Sequence, residues 1–168
     1  MQAEMAKDLV AGNLRRAGQW TGPAFDRLVL DYEGRFLRRK RVALASGGSL
    51  LVDLAETVSL GAGDALETAQ GHLIEIVAAP EPLLRITGDL TRLAWHIGNR
   101  HTPCQIADDH LLIRADHVLA DMLAQLGAGV EHIDAPFTPE GGAYGHGRTH
   151  GHDHGHHHAP HPATDRGA

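Results

Sequence analysis

The stretch LLRITGDLTRLAWHIGNRHTPCQIADDHLLIRADHVLADMLAQLGAGVEHI, residues 83–133, decides the predicted fold. Two segments within it carry apolar residues at the spacing i, i+3, i+4 and i+7, which marks one face of a helix. Asp89 precedes the first and Asp116 the second, and Asp is favoured as a helix N-cap. Gly98 and Gly127 are the predicted stops, because glycine readily adopts the left-handed conformation that ends a helix. The apolar stripes are Leu90, Leu93, Ala94 and Ile97 in the first helix, and Leu119, Met122, Leu123 and Leu126 in the second.

Four short apolar runs surround these helices, and we predict that they are strands. They are Leu83–Ile86, Cys104–Ile106, Leu111–Ile113 and Val130–Ile133. With the helices they give the order β-α-β-β-α-β. This order predicts a ferredoxin-like unit, in which two helices lie on one face of an antiparallel sheet. We place this unit at residues 80–144.

Residues 1–79 have a different pattern, in which turn signals separate short apolar or alternating runs. The turn signals are Asp31–Gly34, Ser46–Ser49 and Gly61–Asp64, and the runs are Leu28–Leu30, Val42–Leu44, Leu50–Val52 and Leu73–Val77. Regular turns between short runs are typical of a small β domain. The predicted fold class is therefore α+β, with a small mainly-β domain first and the ferredoxin-like domain second.

A basic cluster in this first domain consists of Arg35 and residues 38–41. Basic side chains protect the free edge of a sheet from aggregation, so a solvated strand edge is one interpretation. A docking patch for an acidic partner protein is the other. The sequence leaves both open.

The composition of the 168 residues excludes several classes of protein. A net charge of −6 argues against nucleic acid as the main partner. The single cysteine, Cys104, excludes an intramolecular disulfide. The first residues lack the apolar core of a signal peptide, and no stretch approaches the ~18 apolar residues of a membrane span. We expect a cytoplasmic protein that has no membrane partner.

Residues 145–168 contain no Leu, Ile, Val, Phe or Met. Such a segment buries too little apolar surface to offset the entropy of ordering the chain, so we expect a disordered tail. The tail is rich in histidine. Of the 14 histidines in the chain, it holds His146, His150, His152, His154, His156, His157, His158 and His161.

This tail predicts metal binding, because imidazole is a good ligand for Ni²⁺, Zn²⁺ and Cu²⁺. It does not predict which metal, since a segment without fixed geometry discriminates poorly between them. Two alternatives stay open. One is a purification tag, although the longest unbroken run is only His156–His158. The other is a solvated low-complexity tail with incidental metal affinity.

Two histidines of the predicted folded region, His96 and His101, are candidates for a defined site. Five residues apart on one helix, they would differ in direction by roughly 140° and could not bind one ion together. Other ligands for an ion on His101 would then come from elsewhere in the fold or from another chain. A two-fold symmetric dimer would supply a second His101, because its contacts repeat each residue.

His117 is a further candidate. It lies in the first turn of the second predicted helix, where the helix dipole disfavours the charged imidazolium and favours the neutral form that binds metals. Packing at the helix start explains this position equally well. We interpret His72, His110 and His132 as structural or solvent-facing, and Cys104 as a small buried apolar residue.

Three motifs, together with the tail, resemble one known family. They are His-Ile-Gly-Asn-Arg-His at 96–101, Asp-His-Val-Leu-Ala-Asp-Met-Leu at 116–123 and Pro-Phe-Thr-Pro-Glu-Gly-Gly-Ala-Tyr at 136–144. The combination resembles the UreE family of urease accessory proteins, which are nickel metallochaperones. The resemblance covers the whole chain and is most specific at the first two motifs.

The resemblance implies a partner-binding N-terminal domain and a metal-binding domain that forms a homodimer. It implies that His101 of both protomers is the main nickel ligand at the dimer interface. It also implies that His117 belongs to accessory metal sites, that His96 lies near the interface, and that the tail adds further nickel. Some members have a histidine where this chain has Ala115, so one half of a possible peripheral histidine pair is missing here.

With this resemblance, the leading hypothesis is a non-enzymatic nickel carrier that passes Ni²⁺ to the accessory GTPase and the urease pre-activation complex. The alternative is a general buffer for Ni²⁺, Zn²⁺ or Cu²⁺ without a delivery target. An enzyme is the third hypothesis, since Asn99 and Arg100 could stabilise an anion, as in small acyl phosphate hydrolases of the same fold. Against it, no glycine-rich phosphate cradle precedes a helix, and no nucleophile is paired with an evident base.

Overall fold

The computed structural model describes residues 9–141, and the predicted His-rich tail at 145–168 lies outside the described residues. The strands are β1 (Leu9–Arg15), β2 (Asp26–Leu30), β3 (Phe36–Ala43), β4 (Ser49–Ser59), β5 (Ala65–Thr68), β6 (Leu73–Ala78), β7 (Pro80–Thr87), β8 (Gln105–Ile106), β9 (Leu111–Arg114) and β10 (Gly129–Pro136). The helices are α1 (Leu90–Asn99) and α2 (His117–Gln125). Neither of these helices is long and apolar enough to cross a membrane.

The first six strands form one sheet in the order β2-β6-β5-β1-β4-β3. The pairs β1–β4 and β2–β6 are parallel, and the other pairs are antiparallel. Its core is aliphatic, with Leu28, Leu50, Leu66 and Ile74 among its fully buried members. The mainly-β architecture predicted for this half of the chain is confirmed. The predicted apolar runs lie in β2, β3, β4 and β6, except for Leu44, which directly follows β3.

The second half of the chain has the predicted element order β-α-β-β-α-β, from β7 to β10. Its strands form an antiparallel sheet in the order β10-β7-β9-β8. Both helices pack against this sheet in one apolar cluster. The buried members of the cluster are Leu84, Ile86, Leu93, Ile97, Leu111, Ile113 and Leu123. Because β7 and β8 run in the same direction and β9 runs opposite to them, α1 ends and α2 begins at the same end of the sheet.

Both predicted N-caps are present. Oδ1 of Asp89 accepts the Arg92 N–H at 3.2 Å, and Oδ1 of Asp116 accepts the Leu119 N–H at 2.9 Å. Each bond satisfies one of the backbone donors that have no partner within a helix. The second helix also ends as predicted, with Gly127 directly after its C-cap at a φ of 82°.

The prediction that Gly98 ends the first helix is wrong. The helix continues to Asn99, and the chain leaves it at His101, whose φ is 55°. Glycine inside a helix costs only about 1 kcal/mol relative to alanine, so it does not by itself force a stop. Pro103, which cannot continue a helix, follows two residues after His101.

The two sheets meet through an aromatic pair and polar contacts. The rings of Tyr32 and Phe137 pack edge to face with centroids 5.4 Å apart. The Glu81 carboxylate accepts the Tyr32 backbone N–H at 2.8 Å. Arg114 forms a 2.7 Å ion pair with Glu33. These contacts hold β7 and β9 against the turn that follows β2.

Arg35 does not belong to an exposed basic patch, which corrects its place in the predicted cluster. It is 2% exposed and donates hydrogen bonds to the backbone carbonyls of Leu60, Leu30 and Phe137. Residues 38–41, in contrast, are exposed on β3, the last strand in the order of the first sheet. This location fits the edge-protecting interpretation and leaves the docking interpretation open for these residues.

Candidate metal site

The C-terminal end of α1 holds His101 in a Schellman motif. The His101 N–H donates to the Gly98 carbonyl at 2.9 Å, and the Thr102 N–H donates to the Ile97 carbonyl at 3.4 Å. These bonds satisfy carbonyls that would otherwise lack a partner at the helix end. The motif requires a left-handed residue directly after the C-cap, and that residue is His101.

A left-handed backbone is unusual for a residue with a side chain. Within residues 9–141, His101 is the only residue other than glycine with a positive φ. The second helix ends in the same two bonds, from Gly127 to the Ala124 carbonyl at 3.0 Å and from Ala128 to the Leu123 carbonyl at 3.1 Å, and there the left-handed residue is glycine. Glycine would suit the fold better at position 101 as well. The imidazole there is therefore better explained by a role outside folding.

His101 and His96 differ in their surroundings. His101 is exposed, whereas His96 is half-buried within α1, where its ring meets Trp95 edge-on with centroids 5.0 Å apart. Because His101 lies beyond the end of the helix, the roughly 140° separation expected for two residues on one helix does not describe this pair.

A cleft of about 450 Å³ separates the end of α1 from the start of α2. Thr102, the neighbour of His101, lines one side, and Asp116, the neighbour of His117, lines the other. His117 is exposed as the first residue of α2. The fold thus brings the two predicted metal ligands to the same end of the second sheet. Within residues 9–141 of one chain, no three His, Cys, Asp or Glu side chains are grouped closely enough to hold a metal ion.

Cys104 is half-buried in a small groove between α1 and β8. Burial, together with the negative charge of Glu140, raises the pKa of the Cys104 thiol to about 11. A thiol with so high a pKa is protonated at neutral pH, whereas a cysteine metal ligand is a thiolate. The environment of Cys104 is consistent with its interpretation as a small apolar residue.

The other described histidines have local contacts. The ring of His72 stacks on Phe25 with centroids 4.0 Å apart. Nδ1 of His110 lies 2.6 Å from Oδ1 of Asp109, and this hydrogen bond lowers the pKa of the Asp109 carboxyl. His132 is exposed on β10.

Residues 140 and 141 lie beside the end of α1, a position that the sequence pattern does not indicate. The Glu140 N–H donates to the Cys104 carbonyl at 2.9 Å, and Gly141 lines the groove together with Gly98 and Thr102. The described chain therefore ends beside the Schellman motif that carries His101. No local pattern predicts this, because the position depends on contacts between segments about 36 residues apart along the chain.

Two family models match the chain. The model described as the N-terminal domain of the UreE urease accessory protein matches residues 8–79. The model described as the C-terminal domain of the same protein matches residues 74–162. Together they span most of the 168 residues.

Curated proteins named urease accessory protein UreE are similar to this chain over most of its length. The protein from Ruegeria pomeroyi is 60% identical over 138 residues, which are 82% of this chain and 92% of that protein. The protein from Rhodobacter capsulatus is 60% identical over 139 residues, which are 83% and 88%. The protein from Cereibacter sphaeroides is 57% identical over 139 residues, which are 83% and 76%.

Proposed function

The chain belongs to the UreE family of urease accessory proteins, and on this premise we propose that it is a nickel chaperone for urease maturation. The family consists of accessory proteins and not of enzymes. The proposed cargo is Ni²⁺, with Zn²⁺ and Cu²⁺ as competing ions, because histidine sites without rigid geometry follow the general affinity order of divalent metals. The proposed location is the cytoplasm.

The proposed central site lies between two copies of the chain, each contributing His101. The observation that carries this proposal is the exposed, left-handed His101 at a helix end where the equivalent residue of the other helix is glycine. Two imidazoles with open coordination positions would hold the ion without trapping it, which transfer to a partner requires. His117, at the start of α2, and His96 serve as accessory ligands in this proposal.

The proposed domain division is 1–79, 80–144 and 145–168. The strand order β10-β7-β9-β8, with both helices packed against the sheet, supports the ferredoxin-like assignment of the second domain. In the proposal, the first domain binds the partner protein. That partner is the accessory GTPase acting with the urease pre-activation complex.

The tail supplies the remaining imidazoles in this proposal. His146 follows Gly141 by five residues, which span at most about 17 Å, so it reaches the surroundings of His101. The other proposed tail ligands extend further along the chain. They are His150, His152, His154, His156, His157, His158 and His161.

A chain that ends at Ala143 tests whether the central site exists without the tail. We expect it to bind about one Ni²⁺ per dimer, because one two-fold axis creates one shared site. Nickel titration of the full and shortened chains gives the number of ions that each binds. The mass of each chain, measured with and without metal, gives its oligomeric state. A general metal buffer would instead lose nearly all its capacity with the tail, and that outcome would contradict the chaperone proposal.

Acidification should weaken nickel binding, because Ni²⁺ must displace the proton from any charged imidazole. For two imidazole ligands we expect the affinity of the shortened chain to fall about tenfold between pH 7 and pH 6. Nickel titrations at constant ionic strength measure this change. An affinity that stays constant over this interval would exclude a site dominated by histidine.

A further inference from the structure

A groove of about 190 Å³ lies between α1 and β8, beside the end of the described chain. Ala94, Pro103 and Cys104 give it an apolar lining, and Ile106 at its edge is 55% exposed. Glu140 and Gly141 line it as well, so the groove begins where residues 142–168 continue.

The direction of the chain along this groove follows from two hydrogen bonds. The Thr138 N–H donates to Oε1 of Gln105, and the Glu140 N–H donates to the Cys104 carbonyl, both at 2.9 Å. Residues 138–141 therefore run antiparallel to β8 and to the residues that precede β8. The next residues in this direction are Pro103 and Thr102, which also line the groove.

We propose that Tyr144 docks its ring into this groove and fastens the start of the tail to the end of α1. Tyr144 follows Gly141 by three residues, which span up to about 10 Å, and no other Phe, Trp or Tyr follows Phe137 in the sequence. A tyrosine ring suits an apolar groove with polar groups at its mouth, because its hydroxyl keeps a hydrogen-bonding partner or water while the ring is buried. Thr102 and Glu140 provide such groups.

A second cavity, of about 280 Å³, lies on another side of residues 138–141 and suits this ring less well. Its lining includes the charged side chains of Arg16, Arg35 and Asp64, and Arg16 and Asp64 already form a 2.9 Å ion pair. Docking a ring there would cover charged groups, whereas the groove beside Cys104 has mainly apolar side chains to cover.

Docking would place the first tail histidine, His146, two residues beyond a fixed point beside His101. This consequence rests on the proposed nickel function, but the docking itself does not. The docking of Tyr144 depends on apolar contacts in the groove, and it can be measured in metal-free protein. A failed docking test would therefore leave the nickel site untouched, and a failed nickel titration would leave the docking untouched.

The single cysteine of the chain serves as the probe, because Cys104 lines the groove. The rate of alkylation by iodoacetamide is measured on the full-length chain in the presence of a chelator. If the ring covers the groove about three-quarters of the time, Tyr144→Ala should raise the rate about fourfold. Tyr144→Phe keeps the ring and should react as slowly as the unchanged chain. His146→Ala should also leave the rate unchanged.

Three outcomes would overturn the proposal: no increase for Tyr144→Ala, an equal increase for Tyr144→Phe, or a rate in the unchanged chain that falls as protein concentration rises. The last would mean that a second copy covers the groove.

Discussion

His101→Gly is expected to abolish nickel binding at the central site while making the protein more stable. The nickel affinity of the shortened chain should fall at least about a hundredfold, because the substitution removes an imidazole from each protomer. The free energy of unfolding should rise by about 1 kcal/mol.

The gain in stability follows from the backbone at this position. His101 has a φ of 55°, a conformation that disfavours a side chain, and its hydrogen bond to the Gly98 carbonyl is made by the backbone. Glycine keeps that bond and removes the steric cost. Urea unfolding measures the stability, and nickel titration of the chain that ends at Ala143 measures the affinity.

The other helix offers a matched control. Gly127→His places a histidine at the equivalent position of α2, where an added Cβ meets no atom within 4 Å. The substitution should therefore cost about 1 kcal/mol through backbone strain alone and should leave nickel affinity unchanged. If His101→Gly destabilised the fold, the strain argument would be wrong. If it kept full nickel affinity, the proposed site would be wrong.

The features of the fold that the sequence predicts well are local ones. Asp89 and Asp116 cap the helices as expected, because capping needs only a side chain and a backbone N–H three residues later. The strands β1 and β5 are different. β1 contains Gly12 and Asn13, which are poor strand residues, yet both strands lie inside the sheet, where they pair with each other across about 50 residues of sequence.

In the candidate site, too, the sequence predicts local features but not those that depend on contacts between distant segments. The sequence singles out His101 and His117 as residues, but their place at one end of the second sheet depends on how the helices pack against that sheet. The helical pattern predicts a stop at Gly98 and does not indicate a left-handed histidine at position 101. Glycine tolerates both a helix interior and a helix end, so the choice between Gly98 and His101 is made by the surrounding fold.

Arg35→Met is expected to lower the free energy of unfolding by about 3 kcal/mol or more. Arg35 is 2% exposed, and its guanidinium donates to the carbonyls of Leu60, Leu30 and Phe137. Methionine keeps much of the side-chain length but has no donor. Leaving a buried acceptor without a partner costs about 1–3 kcal/mol, and this substitution removes the donors of several at once.

Arg39→Met is the control, since the Arg39 side chain is 68% exposed and its nearest carboxylate, on Asp53, is 3.8 Å away. Exposed pairs of this kind contribute little, so its effect should stay within about 0.5 kcal/mol. Urea unfolding of both variants decides the comparison, and a loss below about 1 kcal/mol for Arg35→Met would contradict the argument. The hydrogen bond to the Phe137 carbonyl also connects Arg35 with the segment that leads to the tail. The bond from Arg35 to the Phe137 carbonyl joins the first sheet to the segment that contains Thr138. Arg35 therefore helps to set the path on which the chain reaches the groove beside Cys104.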